Sequence, residues 1–122
     1  MLKSLIRGVA WLILIVIVFL SLAPAELRPE TSLPHIVEHA GIFAAAGIAF
    51  AAGYPRREWL LIAGSIFFCA SIELAQLAVP GRHARLGDFI IDAAAALAGL
   101  LMTSIGRRRL NELVRIASRR AM

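Results

Sequence analysis

Long apolar runs alternate with short polar connections along this chain. Four runs fit this description: residues 8–23, 34–53, 59–79 and 88–105. Each is close to the roughly 20 apolar residues that a helix needs to cross a bilayer. Apolar positions are blocked rather than alternating, which favours spanning helices over half-buried strands. Pro80 and Gly81 are expected to close the third helix and Gly106 to end the fourth. Because the connections are short, neighbouring helices should be antiparallel.

The composition agrees with this pattern. Hydrophobic residues make up 60% of the 122 residues and charged residues 17%, with a mean hydropathy of +0.80. A soluble domain carries charges on about a quarter of its residues. The sequence therefore predicts an all-α integral membrane bundle of four transmembrane helices. The bundle occupies residues 1–106, and a basic tail follows at residues 107–122.

The first run also has features of a signal peptide, namely a basic start and a small-residue sequence, Ala23-Pro24-Ala25. We favour a retained helix, because the run is long and further spans follow. Either reading leaves the topology of the remaining helices unchanged.

Lysine and arginine are distributed unequally between the two sides of the predicted bundle. One side holds Lys3, Arg7, Arg56, Arg57, Arg107, Arg108, Arg109, Arg115, Arg119 and Arg120, and the other holds Arg28, Arg82 and Arg85. The positive-inside rule then predicts cytoplasmic N and C termini. A net charge of +5 placed in this way indicates contact with anionic lipid headgroups, and with no base-stacking platform visible we expect no nucleic acid partner.

The tail places apolar residues at helical spacing. Leu110, Leu113, Val114 and Ala117 would share one face, with arginines over much of the remaining surface. This pattern predicts a basic amphipathic helix lying on the inner leaflet. A disordered basic tail that only enforces topology is the alternative.

Polar groups from three predicted spans reach the same depth, near the non-cytoplasmic surface. The candidate site residues are His39 on the second helix, Glu73 and Gln76 on the third, Asp88 and Asp92 on the fourth, and Arg82 in the connecting turn. Charges inside a membrane are costly, so Glu73 should be protonated or paired. Arg82 is the natural partner, because its planar guanidinium can bind a carboxylate with two hydrogen bonds.

The segment IELAQLAVPGRHARLGDFIIDAAAALAG resembles the signature of VanZ-like membrane proteins. The matching positions are Glu73, Gln76, Pro80, Gly81, Arg82, Asp88 and Gly99, with His39 upstream in HIVEHAGIF. Asp92 departs from the pattern, because Asn is usual there. The resemblance implies a small multi-pass protein of the bacterial cell membrane. It also implies a connection with the cell envelope, since the family is named for a protein linked to reduced teicoplanin susceptibility.

Several roles remain open for the polar cluster. A binding site would contact the headgroup of a lipid-linked cell-wall precursor or a glycopeptide. A structural lock would tie the third and fourth helices together through Arg82, without any ligand. An acid–base enzyme would act on an envelope lipid headgroup through His39 and the carboxylates, which could also hold a divalent cation. Transport is disfavoured, because the acids do not continue toward the cytoplasm.

The sequence gives no reason to expect a cofactor or a dedicated metal site. Cys69 is the only cysteine and lies within an apolar run, so it forms no internal disulfide. The expected partners are membrane lipids, with the precursor or glycopeptide as ligand and with oligomerisation open. We expect a non-catalytic function.

Overall fold

The structure, a computed structural model, describes residues 1–27, 32–81 and 84–120, with only the backbone at Ala25 and His35. The described residues form helices and turns, without a strand. The helices are α1 (Leu2–Leu22), α2 (His35–Gly53), α3 (Glu58–Gln76) and α4 (Leu86–Arg120), and a 3-10 turn, Ala25–Leu27, follows α1. All four α-helices are long and apolar enough to cross a membrane, which confirms the four predicted spans.

Local chemistry explains two of the helix boundaries. Pro34 immediately precedes α2, and its carbonyl accepts the Val37 N–H at 2.8 Å. The third helix ends at Gln76, three residues before the predicted end at Val79. Over those residues the chain tightens into i→i+3 hydrogen bonds, as helix ends often do, and the Val79 N–H bonds the Gln76 carbonyl at 3.1 Å.

The prediction that Gly106 ends the fourth helix is wrong. Helix α4 continues unbroken through Gly106 to Arg120. A glycine inside a helix costs about 1 kcal/mol, and the arginine- and leucine-rich segment that follows has high helix propensity and contains no proline. The tail is therefore helical as predicted, but it continues the fourth span. Its placement on a membrane surface stays a prediction.

Helices α2 and α4 make the most extensive contact in the bundle. Two glycines set their separation. A Cβ atom added to Gly47 would overlap the carbonyl oxygen of Ala96, and one added to Gly99 would overlap the carbonyl oxygen of Ala44. Helices α2 and α4 therefore pack closely through small residues, with their backbones in direct contact.

The bundle has a small core and a large apolar exterior. Helix α1 packs mainly on α2, and α3 packs mainly on α4. Ile17, Leu100 and Cys69 are the largest fully buried residues, whereas Phe67 and Leu74 on α3 are largely exposed. An extensive exposed apolar surface is typical of a lipid-facing exterior. This surface agrees with the multi-pass membrane character that the helix lengths indicate.

Candidate functional site

Four helices bring polar groups together at one end of the bundle. We call this cluster the polar site and define it by five side chains: Ser21 of α1, His39 of α2, Glu73 and Gln76 of α3, and Asp92 of α4. Four of the five side chains are buried, and His39 is partly exposed. Helix α1 ends here while α2 begins, and α3 ends here while α4 begins, so the antiparallel connections create the convergence.

His39 and Asp92 form the central contact of the polar site. The His39 Nδ1 atom lies 3.1 Å from Asp92 Oδ1 and 3.2 Å from Oδ2. Asp92 is only 2% exposed, and the His39 ring stacks on Phe43, one helical turn further along α2. With its proton on Nδ1, the imidazole donates to the carboxylate, which fixes the orientation of the ring. Asp92 thus links α4 to α2 through a side-chain contact.

The described residues give Glu73 a main-chain partner, while its predicted pairing with Arg82 stays a prediction. The backbone N–H of Arg85 donates to Glu73 Oε2 at 3.0 Å, and Glu73 is 9% exposed. Arg82, the predicted partner of Glu73 and Asp88, lies outside the described residues. The chain just before α4 therefore holds the carboxylate through a main-chain amide. Such a contact leaves little sequence signal, because any residue except proline supplies it.

Gln76 connects α3 to the end of α1. Its Nε2 atom donates to the carbonyl oxygen of Ser21 at 3.4 Å, and both residues are buried. The Ser21 carbonyl belongs to the last turn of α1, where carbonyls lack partners within the helix. Sequence reasoning placed Gln76 in the site but missed Ser21. The only signal was a small polar residue at the end of an apolar run.

The described part of the polar site holds two carboxyl groups and one imidazole, from Glu73, Asp92 and His39. Glu73 lies within electrostatic range of Asp88, Asp92 and His39, so the predicted convergence of three spans is present in the described residues. Asp88 is partly exposed at the start of α4, and the Arg85 side chain is exposed. Within the described ranges, no three His, Cys, Asp or Glu side chains group as metal ligands do.

An apolar cavity lies beside the polar site. It measures about 220 Å³ and is lined by residues of α1, α2 and α3, together with Ala96 of α4. Phe43, on which His39 stacks, forms part of its wall, as do Ile17 and Cys69. Ligand pockets usually begin at roughly 300 Å³, so this space suits part of an apolar chain rather than a whole ligand.

The opposite end of the bundle carries a second set of polar contacts, which sequence reasoning missed. The Arg7 Nε atom donates to the Gly53 carbonyl at 2.9 Å, and Arg107 Nη1 donates to the Ala51 carbonyl at 2.8 Å. Both carbonyls belong to the last turn of α2. Cations are favourable at a helix C-terminus, so these arginines stabilise α2 as well as contributing to topology.

No known protein-family model, curated protein or solved structure matches this chain.

Proposed function

We propose that this chain is a VanZ-like multi-pass protein of the bacterial cell membrane that binds a lipid or glycopeptide headgroup at the polar site. The observation that carries the proposal is the partly buried contact between His39 and Asp92, residues 53 positions apart in the sequence. The residues quoted for the VanZ-like resemblance supply the connection with the cell envelope.

The energetic cost of Asp92 supports a role for the site. An aspartate at the centre of a membrane helix costs about 2.5–3.5 kcal/mol on insertion scales. Asp92 and Glu73 lie within two turns of a helix end, so each bears a smaller cost of this kind, although apolar residues fill most of the neighbouring helix positions. Ionisable residues inside membrane spans usually mark binding or transfer sites.

The chemistry of the site favours ligands that donate hydrogen bonds. Carboxylates accept hydrogen bonds from hydroxyl, amide and ammonium groups, which glycopeptides and sugar-bearing lipid headgroups carry in number. The adjacent apolar cavity would take the first part of an acyl or polyprenyl chain. A headgroup at the polar site with an apolar chain beside it fits a lipid-linked precursor of the cell wall.

The polar site would face away from the cytoplasm. The opposite end of the bundle has the larger share of Lys and Arg, which the positive-inside rule assigns to the cytoplasmic side. The N terminus and the tail would then be cytoplasmic, and the headgroup would approach from outside, where glycopeptides act.

One observation favours a second candidate, an acid–base enzyme acting on an envelope lipid headgroup. An imidazole whose Nδ1 faces a buried carboxylate is the arrangement that positions histidine as a general base. Conversion of a radiolabelled polyprenyl pyrophosphate by the purified protein, lost in His39→Gln, would establish this candidate. Binding without conversion supports the non-catalytic proposal.

The experiment compares Glu73→Gln and His39→Gln, at two positions that match the VanZ-like pattern, with Ser71→Ala as the matched control. Ser71 lies on α3 near Glu73, but its hydroxyl bonds the Phe67 carbonyl of its own helix. Teicoplanin susceptibility of an expressing strain, teicoplanin binding in nanodiscs and thermal stability are measured for each variant. We expect both site variants to lose teicoplanin binding and tolerance while keeping an unfolding temperature close to that of the wild type. Ser71→Ala should retain teicoplanin binding and tolerance.

Two results would decide against binding. Unchanged teicoplanin binding and susceptibility in both Glu73→Gln and His39→Gln would show that the site contacts no such headgroup. A large loss of thermal stability with no binding by the wild type would identify the polar site as a structural lock between α2 and α4.

A further inference from the structure

The opposite end of the bundle contains an open cleft of about 1080 Å³ that lies outside the polar site. We call it the basic cleft. The charged residues that line it are Lys3, Arg56, Arg57, Glu58, Arg107 and Arg108. Five cationic side chains thus surround one carboxylate. The cationic side chains come from the start of α1, the turn between α2 and α3, and the middle of α4.

The single carboxylate is already paired. Glu58 Oε1 lies 3.5 Å from Arg107 Nη2, and its Oε2 contacts Arg108 Nη2. No carboxylate in the described parts of the chain forms an ion pair with Lys3, Arg56 or Arg57. The cleft therefore keeps uncompensated positive charge, and an anion entering it would meet both lysine and arginine donors.

The backbone at Arg56 is unfavourable for a side chain. The Arg57 N–H bonds the Tyr54 carbonyl at 3.4 Å, which closes a turn with Pro55 second and Arg56 third. Arg56 has a φ of 74°, the left-handed conformation that glycine or asparagine normally supplies at the third position of a type II turn. An arginine at this position places a long cation at the edge of the cleft at a conformational cost.

The position of Trp59 indicates that the cleft lies at the depth of lipid headgroups. Trp59 forms part of its wall and is 84% exposed at the first turn of α3. Tryptophan favours the boundary between headgroups and hydrocarbon, so the cleft is expected to open at that level. The guanidinium group of arginine binds phosphate oxygens with paired hydrogen bonds, and basic pockets between membrane helices bind phosphate headgroups.

We propose that the basic cleft is a binding site for the phosphate headgroup of an anionic phospholipid from the adjacent leaflet. Arg56 and Arg57 contact the phosphate, while Arg107 and Arg108 form the floor of the cleft together with Glu58. The site goes beyond the proposed function, because it lies at the other end of the bundle and requires no glycopeptide.

The test measures lipid retention by the full chain in detergent, using native mass spectrometry with phosphatidylglycerol and phosphatidylcholine as probes. Each surface cation contributes about 1 kcal/mol, or roughly 5-fold in affinity. The double variant Arg56→Gln/Arg57→Gln should therefore bind phosphatidylglycerol about 30-fold more weakly. Arg115→Gln/Arg119→Gln removes the same charge from the exposed tail, outside the cleft, and should change binding less than 3-fold.

Arg56→Gly separates binding from folding. Glycine relaxes the turn, so this variant should unfold at a higher temperature than the wild type while binding phosphatidylglycerol about 5-fold more weakly. Wild-type affinity in Arg56→Gly would overturn the role of Arg56. Equal losses in the cleft and tail double variants, or equal retention of the two lipids, would overturn the site.

Glycerol phosphate distinguishes a lipid from a soluble phosphate. Failure of the wild type to retain glycerol phosphate supports the lipid as ligand. Retention that disappears in Arg56→Gln/Arg57→Gln would instead assign the cleft to a soluble phosphate and overturn the lipid proposal. His39→Gln, the variant that tests the polar site, should leave phosphatidylglycerol retention unchanged, so the outcomes for the two ends of the bundle are separable.

Discussion

The contact between α2 and α4 should be intolerant of a single methyl group. In Gly47→Ala the new Cβ would overlap the Ala96 carbonyl oxygen and lie 3.0 Å from the Leu100 backbone nitrogen. These obstacles are backbone atoms, so no side-chain rotation can relieve the overlap. Carbon atoms ordinarily stay about 3.5–4.0 Å from such neighbours, and the helices must move apart to restore that separation.

The expected free energy follows from two opposing effects. Replacing a helical glycine with alanine gains up to about 1 kcal/mol of helix propensity. Overpacking a close contact costs about 1–3 kcal/mol, and here both helices are shifted along a shared interface. The cost of the overlap should exceed the gain in helix propensity, and we expect Gly47→Ala to lower the free energy of unfolding by about 1–2 kcal/mol.

The reciprocal site provides a second test. Gly99→Ala would overlap the Ala44 carbonyl oxygen and should destabilise the protein similarly. Because one separation of α2 from α4 relieves both overlaps, the double variant Gly47→Ala/Gly99→Ala should cost less than the sum of the single variants.

The assay is unfolding of the purified protein in mixed micelles of mild detergent and dodecyl sulfate, followed by circular dichroism. Gly41→Ala on α2 and Gly106→Ala on α4 are the matched controls, because nothing lies within 4 Å of an added Cβ at either position. Both controls should equal or exceed wild-type stability. If Gly47→Ala matched Gly41→Ala, the direct backbone contact between the helices would be refuted.

Two further predictions concern the ends of helices. Gln76→Leu removes the donor to the Ser21 carbonyl and should lower the free energy of unfolding by about 1–2 kcal/mol, since a buried carbonyl loses its partner. Wild-type stability of this variant in the same micelle assay would contradict that contact. Deleting the chain from Leu110 onward should leave the unfolding midpoint of the bundle unchanged, because residues 110–120 are exposed. A clear loss of stability on truncation would show that the tail packs on the bundle.

The sequence alone was sufficient to predict the four spans, because span length and hydropathy are local properties. It was also sufficient to predict that His39, Glu73 and Asp92 approach one another, since short loops force antiparallel helices and fix each residue's depth. Glycine at positions 47 and 99 is a local property of the same kind, because its missing side chain leaves room for a neighbouring backbone.

The predicted ends of helices were less accurate where the free-energy differences that favour or oppose helix formation are small. Gly106 disfavours a helix by only about 1 kcal/mol, and the segment after it restores the propensity. Gly106 alone therefore does not end α4, although glycine is typical of helix ends.

Only the tertiary structure decided which polar groups are partners. The depth of a residue in the bundle follows from its position along its helix. The direction of its side chain depends instead on the rotation of that helix about its axis. That rotation is set by contacts such as Gly47 against Ala96. It brings His39 to Asp92, the Arg85 amide to Glu73 and Arg107 to the end of α2. Backbone amides and carbonyls are identical at nearly every position, so their use as partners cannot be read from the order of amino acids.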